Sequence, residues 1–260
     1  MNAASVVGAL GLAALGGPAT QLLGMPWPTV GLLVALGALL SLDDTAWGQT
    51  WLGQPLPAGL LAGLVCGDPQ AGVAVGLPFQ LVTLGNLPVG QSFTGEKVSA
   101  TIAGVGSAVL ASPAPVALAG LGGEARGLTG WLLLGVCLLS LAGNKIVQLE
   151  RGTHFAWMLE GHRTLWDGRV ERFARLQMRC LLTTALRGAV MTAAALLLLA
   201  GFWLPLYQQL PDRATRACAL LPLLAPPMAV AAVGDLLGWR HSWRWIASGL
   251  VAGLLLAWRW

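Results

Sequence analysis

The chain contains, at residues 55–84, the stretch PLPAGLLAGLVCGDPQAGVAVGLPFQLVTL. Two apolar pieces within it, 55–66 and 71–84, flank Gly67-Asp68-Pro69-Gln70, and each is shorter than the roughly 20 residues that a membrane-spanning helix needs. Both pieces end in turn-forming residues. Broken helices expose backbone groups that hydrocarbon cannot satisfy, so they persist at membrane depth only where protein or a water-lined cavity covers them. The stretch therefore predicts re-entrant helices around a binding site for a small molecule.

The composition of the whole chain points to the same environment. Of 260 residues, 56% are apolar and only 10% are charged, whereas soluble domains carry about 25% charged residues. The 15 Lys and Arg and 11 Asp and Glu side chains are too few to cover a soluble globule of this length. These numbers exclude a disordered chain and a nucleic-acid-binding module, and they argue against a soluble enzyme. We predict an all-α polytopic membrane protein.

Hydropathy and turn residues divide the chain into four regions. They are an N-terminal apolar extension at 1–24, a membrane region with broken helices at 25–144, a basic amphipathic cytoplasmic segment at 145–187, and C-terminal transmembrane helices at 188–260. The extension precedes any Lys or Arg, so it does not resemble a signal peptide. It is either an added helix or a stretch upstream of a true start at Met25.

Six apolar segments outside the opening stretch are predicted to be helical. They are 29–42, which ends at Asp43-Asp44, and 98–121, 127–144, 188–206, 217–238 and 243–258. Two prolines, Pro113 and Pro115, are expected to bend or divide the second of these segments.

The segment 145–187 concentrates the cations of the chain. It holds eight Lys and Arg residues against four Asp and Glu residues, with apolar residues between them at helical spacing. This pattern predicts one or two amphipathic interfacial helices, and the positive-inside rule places them in the cytoplasm. The basic face is either a solvated, headgroup-facing surface or a docking face for a cytoplasmic partner, centred on Arg169, Arg172, Arg175 and Arg179.

Polar residues stranded in the apolar N-terminal half are the candidate ligand-binding groups. Asp68 is either a site carboxylate or the N-cap of the helix that begins near Gln70, and both roles are compatible. Gln80 offers two donors and an acceptor that suit a pair of sugar hydroxyls, or else it forms a hydrogen bond between helices.

The remaining candidates lie on either side of the same stretch. Asn86 and Gln91 add uncharged donors and acceptors, which favours a neutral polyhydroxylated ligand. Glu96 is a further candidate unless it and Lys97 simply neutralise each other. The pair Asp43-Asp44 supplies either site acids or a solvated helix end.

No cofactor or metal site is predicted. Cys66, Cys137, Cys180 and Cys218 are dispersed and form no metal-binding spacing. Gly90 and Gly95 have the spacing of a phosphate-binding loop, but Glu96 stands where the required Lys would be. Two further residues, His154 and His162, are expected to be interfacial side chains.

Several motifs in the N-terminal half together resemble one transporter family. An acidic pair ends the first helix, a short segment then leads to Gly-Asp, and a Gly-x-x-x-Gln-Leu stretch leads to a small-residue turn. The matching positions are Asp43-Asp44, Gln54-Pro55-Leu56, Gly67-Asp68, Gly72–Leu81, Leu84-Gly85, Pro88-Val89-Gly90 and Glu96. In this order and spacing, the chain resembles the IIC membrane subunit of the mannose/fructose/sorbose class of the phosphoenolpyruvate-dependent sugar phosphotransferase system (PTS). Members often carry Glu where this chain has Gln80.

The resemblance implies a permease in the bacterial inner membrane that is not catalytic by itself. Such a subunit pairs with a IID membrane subunit, in a complex thought to be a trimer of IIC–IID pairs. The sugar is bound among broken helices and is phosphorylated by the cytoplasmic IIB protein, which IIA supplies with phosphate. Position by position, the implied site residues are Asp43, Asp44, Asp68, Gln80 and Glu96. The alternatives are a permease-like protein with a sensing role in an incomplete system, and another small-molecule transporter. An integral membrane enzyme is a third class, which no acid–base or metal constellation supports.

Overall fold

The computed structural model describes residues 21–22, 24–85, 96–111 and 123–238, with short pieces at 243–244, 246–249 and 251. Almost all of these residues are helical, which confirms the predicted all-α class. A two-residue antiparallel ladder joins β1 (Gln21–Leu22) to β2 (Met25–Pro26). Most of the predicted extension, both prolines of segment 98–121 and most of segment 243–258 lie outside the described residues.

The described helices follow the predicted segments closely in the N-terminal half. They are α1 (Trp27–Thr45), α2 (Pro55–Cys66), α3 (Pro69–Val82), α4 (Lys97–Ala111), α5 (Gly123–Trp166), α6 (Val170–Leu198), a π-helical segment (Leu199–Trp203), α7 (Leu204–Tyr207), α8 (Asp212–Cys218) and α9 (Leu221–Leu237). Four stretches are long and apolar enough to cross a membrane, namely Trp27–Asp44, Ala125–Trp166, Val170–Tyr207 and Asp212–Leu236.

The opening stretch folds into a tight helical hairpin of α2 and α3. At 1.5 Å per residue its helices are about 18 and 21 Å long, so neither crosses a hydrocarbon layer of about 30 Å. The turn places Gly67 at a φ of 80°, a left-handed conformation that suits glycine. The two helices then pack backbone against backbone, since a Cβ added at Gly59 would lie 2.6 Å from the carbonyl oxygen of Gly72. The predicted pair of short helices is confirmed.

Helix α4 occupies the centre of the bundle. All of its residues from Lys97 to Ala108 are buried, against α2, α3, α5 and α6. A helix that is mainly apolar and buried on every face needs protein or lipid all around it. Here protein surrounds it, so its polar N-terminal residues are held inside the bundle.

Helices α1 and α6 cross closely and run antiparallel. A Cβ added at Gly37 would overlap Thr192, and one added at Gly188 would lie 2.6 Å from the carbonyl oxygen of Gly37 and 2.7 Å from the Cβ of Ser41. Two glycines therefore set the register of these two helices.

The basic segment 145–187 differs from the prediction in one respect. Helix α5 continues without a break from the apolar residues into the basic ones as far as Trp166, and α6 begins again at Val170. The stretch 145–166 contains no proline, so nothing in it stops the helix. The segment is therefore the extended end of a helix pair, which we call the basic hairpin (residues 145–187), rather than a separate interfacial helix.

Candidate functional site

The ends of four helices meet at one level of the bundle. The end of α1 lies against the start of α2, because a Cβ added at Gly53 would be 2.9 Å from the carbonyl oxygen of Leu40 and 3.1 Å from the Cβ of Asp44. The end of α3 lies beside the start of α2 through Gln80. The start of α4 brings Lys97 into electrostatic contact with Asp44. We call this region the convergent end.

Gln80 joins α3 to the start of α2. Its Oε1 accepts a hydrogen bond from the backbone N–H of Leu56 at 3.3 Å, and its Nε2 donates a long hydrogen bond to Oε1 of Gln54 at 3.5 Å. The interhelical hydrogen bond predicted as one role of Gln80 is therefore present. The side chain remains half-buried. Gln54 is buried and was not predicted as a site residue; its place immediately before Pro55 was the available signal.

Asp43 is half-exposed at the end of α1 and bonds the loop that follows it. Its Oδ1 accepts hydrogen bonds from the backbone N–H and the hydroxyl of Thr50, at 2.7 and 2.6 Å, and its Oδ2 accepts one from the N–H of Gly53 at 3.0 Å. The carboxylate thus fixes the loop that connects α1 to α2. Asp43 therefore shapes the convergent end through this loop, and its Oδ2, which accepts one of these bonds, retains acceptor capacity.

Glu96 and Arg187 form the core of a buried ion cluster. Arg187 Nη1 pairs with Glu96 Oε2, and Arg187 Nε pairs with Glu150 Oε2. The side chains of Arg187, Glu96 and Glu150 are 6%, 4% and 10% exposed. Buried charges are tolerated only when they are paired, and here one guanidinium serves two carboxylates.

Hydroxyl groups complete the bonding of both carboxylates. Glu96 Oε1 accepts hydrogen bonds from the N–H and hydroxyl of Ser99, at 3.3 and 3.0 Å. Glu150 Oε1 accepts one from the hydroxyl of Thr184 at 2.7 Å. Arg187 is the ion-pair partner of Glu96 that the sequence did not reveal, because the two residues are 91 positions apart. The cluster ties α4, α5 and α6 together beside the convergent end.

Asp68 lies apart from the other candidates. It caps α3, accepting a hydrogen bond from the N–H of Ala71 at 3.0 Å, as one of its two predicted roles requires. Gln80 lies twelve residues further along at the other end of α3, which separates the two by about 18 Å at 1.5 Å per residue. The structure therefore brings Asp44, Gln80 and Glu96 to one end of the hairpin and Asp68 to the other. Asn86 and Gln91 lie outside the described residues, in the connection from α3 to α4.

The cap predicts a difference between two substitutions of Asp68. We expect Asp68→Ala to lower the free energy of unfolding by about 1 kcal/mol, and Asp68→Asn to lower it by much less, because asparagine is also a good N-cap. Thermal unfolding of the purified protein in detergent measures both. A loss of stability in Asp68→Asn as large as that in Asp68→Ala would contradict the capping role.

The four arginines predicted as a docking face cluster at the tip of the basic hairpin. Arg172 pairs with Glu160, and Arg169 lies 3.7 Å from Asp167. A concave surface of about 290 Å³ is lined by Arg172, Arg175, Arg179, Glu160 and Leu176. The arginines outnumber the acids there, so the tip presents a positive, solvent-exposed face.

The two histidines of the basic hairpin each form a hydrogen bond with a neighbouring side chain. His154 Nε2 lies 2.8 Å from the hydroxyl of Thr183 on the facing helix. His162 Nε2 accepts a hydrogen bond from the indole of Trp166 at 2.9 Å. Among the described residues, no three His, Cys, Asp or Glu side chains are grouped so that they could hold a metal ion.

The fold is that of a multi-pass α-helical membrane protein. It contains one helical hairpin, α2 and α3, that is too short to cross the membrane, and polar side chains gather at the convergent end of this hairpin. Residues 29–256 match the family of the PTS system sorbose-specific IIC component, and the chain belongs to that family. This confirms the resemblance predicted from the N-terminal motifs. The chain is thus a membrane component of a sugar phosphotransferase system.

The architecture is also shared with a known structure. A solved chain titled "Structure of membrane protein" superposes with a TM-score of 0.63 at 14% identity, covering 90% of this chain and 96% of the other. At that identity the likeness shows the fold alone. A search among curated proteins gave no match.

Proposed function

We propose that this chain is the sugar-translocating subunit of a mannose-class PTS in the bacterial inner membrane. It moves a hexose or related sugar inward while the IIB partner phosphorylates that sugar. The observation that supports this most is the short hairpin of α2 and α3, whose polar end faces the ends of α1 and α4. Paired broken helices with convergent polar groups are the usual setting for a transporter's substrate.

The proposed sugar site is the convergent end. Gln80 is half-buried there, next to buried Gln54, and an amide matches the paired donor and acceptor of sugar hydroxyls. Asp44 adds a carboxylate. Asn86 and Gln91 lie in the sequence between the end of α3 and the start of α4, and we include them in the proposed site. Asp43 and Glu96 support the site through the loop and the ion cluster that they hold.

The chain supplies binding and passage, and the chemistry belongs to its partners. Phosphate reaches the sugar from IIB, which IIA recharges, while a IID subunit completes the membrane complex, proposed to be a trimer of IIC–IID pairs. The basic hairpin then lies in the cytoplasm, in agreement with its excess of arginine. Its positive tip is the face that docks IIB.

Replacing Gln80 tests the site. We expect Gln80→Ala to reduce sugar uptake by roughly five- to twelvefold, because one hydrogen bond to the substrate is worth about 1–1.5 kcal/mol. Phosphoenolpyruvate-dependent uptake of radiolabelled mannose, fructose and sorbose is measured in cells that express the chain with IID, IIB and IIA. Gln209→Ala, an exposed glutamine just after α7 and outside the proposed docking face, is the matched control and should transport normally. Wild-type uptake by Gln80→Ala would refute the assignment.

Neutralising the hairpin tip tests the docking face. We expect simultaneous replacement of Arg169, Arg172, Arg175 and Arg179 by Gln to weaken binding of IIB and to reduce uptake. The difference from wild type should be largest at low salt, where the attraction of these exposed charges is least screened. Binding of sugar to the purified IIC–IID complex should stay unchanged, because the tip is remote from the convergent end. Replacing Arg213 and Arg216 on α8 removes charge elsewhere and serves as the control. Undiminished IIB binding by the fourfold variant would exclude this face.

A further inference from the structure

The loop between α1 and α2, residues 46–53, exposes two tryptophans. Trp47 is 73% exposed and Trp51 is 65% exposed, and Leu52 beside them is also exposed. Tryptophan is usually mostly buried in a protein, so two open indoles on one short loop need a partner outside the chain.

The loop holds these indoles outward in a fixed conformation. Asp43 accepts three hydrogen bonds from Thr50 and Gly53, which close the loop onto the end of α1. Gln49 and Trp51 have φ angles of 52° and 69°, a left-handed backbone conformation that residues other than glycine rarely adopt. The hydrogen bonds to Asp43 therefore hold the loop in an uncommon backbone conformation, and in this conformation its two indoles are exposed.

The position of the loop along α1 matches the thickness of a bilayer. Trp27 begins α1 and is also half-exposed, and Trp47 follows the end of the same helix. From Trp27 to its last residue, Thr45, the helix rises about 27 Å, which is close to the hydrocarbon thickness of about 30 Å of a typical membrane. Tryptophan concentrates at both membrane–water boundaries, because its ring is apolar while its N–H requires a hydrogen-bond partner.

Helix α6, which packs against α1, has exposed apolar residues at the levels of Trp27 and Trp47. The contacts of Gly37 with Thr192 and of Ser41 with Gly188 set the antiparallel register of α1 and α6. Extended along both helices, this register places exposed Phe202 level with Trp27, and Leu182 level with Trp47. Between those levels α6 carries a single cation, the buried and paired Arg187. Beyond Leu182 the arginines of the basic hairpin begin.

We propose that loop 46–53 is a membrane-interface anchor, with the indoles of Trp47 and Trp51 lying among the lipid headgroups where α1 leaves the bilayer. Asp43 serves the anchor by holding the loop closed. The anchor sets the depth of the bundle, so the convergent end, including Asp44, Gln80 and Lys97, lies at the boundary between hydrocarbon and headgroups.

Nitroxide depth measurements test the anchor. In a full chain whose four cysteines are replaced by serine, single cysteines are introduced by Trp51→Cys, Leu39→Cys and Arg169→Cys, three sites of similar exposure at 65%, 63% and 61%. The labelled proteins are reconstituted in phosphatidylcholine–phosphatidylglycerol vesicles, and collision with oxygen is compared with collision with a water-soluble nickel chelate. We expect the label at 39 to favour oxygen by at least tenfold over the label at 169, and the label at 51 to fall between them, at phosphate depth.

Two results would overturn the anchor. A label at 51 that matches the one at 169 would place the loop in water, and one that matches the label at 39 would place it in the hydrocarbon or against a membrane partner. Trp47→Cys repeats the measurement if Trp51→Cys does not fold. If the label at position 51 were shielded from the nickel chelate only after IIB is added, the loop would be a docking site for that protein. This result would also overturn the proposal. None of these readings depends on sugar transport.

Discussion

Arg187→Met is expected to lower the free energy of unfolding by about 3–5 kcal/mol, because removing one partner of a buried ion cluster leaves uncompensated charge. Both Glu96 and Glu150 are buried and both depend on this guanidinium. Methionine keeps the unbranched apolar stem of the side chain, so the loss reports mainly on the missing guanidinium. Thermal and chemical unfolding in detergent measure the difference from wild type.

Two further variants make this result specific. Replacing all three residues, as Glu96→Gln, Arg187→Met and Glu150→Gln together, should recover much of the lost stability, since buried charges removed as a set often cost little. Arg179→Met removes an exposed cation from the same helix and should change stability by less than about 0.5 kcal/mol. If Arg187→Met unfolded like Arg179→Met, the cluster would not be buried and paired as described.

Of the glycine-to-alanine substitutions in the short hairpin, Gly72→Ala is expected to lower the free energy of unfolding most. Its Cβ would overlap the carbonyl oxygen of Gly59, and backbone cannot move aside as a flexible side chain can. Overpacking typically costs about 1–3 kcal/mol, and the value here should lie at the upper end. Because the hairpin positions Gln80 against Leu56, we also expect uptake to fall in the same variant.

The control is a glycine-to-alanine substitution at a position where the added methyl group meets no neighbouring atom. A Cβ at Gly152 in α5 would meet nothing within 4 Å. Gly152→Ala should therefore stabilise the protein by roughly 0.5–1 kcal/mol through helix propensity. The two variants differ in sign although their chemistry is identical. Equal stability of both would show that α2 and α3 do not approach as closely as the structure has them.

The short hairpin was predictable because its signals are local. Gly67 and the prolines at positions 55 and 69 mark the turn and the helix starts, and Asp68 stands where an N-cap belongs. The bounds of α2 were predicted correctly, and those of α3 to within two residues. Apolar length and charge content likewise sufficed to predict the membrane class.

Features that depend on distant contacts were not predictable. Nothing near Glu96 in the sequence points to Arg187, and Asp43 became a loop clamp only because Thr50 and Gly53 fold back onto it. The basic segment was predicted as separate helices since its composition changes sharply at Lys145. Helix continuity is decided by backbone hydrogen bonding, which a change from apolar to basic residues does not interrupt.

The buried position of α4 has a consequence for how the chain is made. Glu96 and Lys97 leave the ribosome well before Arg187, which is 91 residues downstream of Glu96. At about 5–20 residues per second, synthesis reaches Arg187 on the order of ten seconds later. During that interval Glu96, at the start of α4, lacks its counter-ion, and the helix lacks the neighbours that α5 and α6 provide. Membrane integration of α4 is therefore a late, cooperative step that is completed only after α5 and α6 have been synthesised.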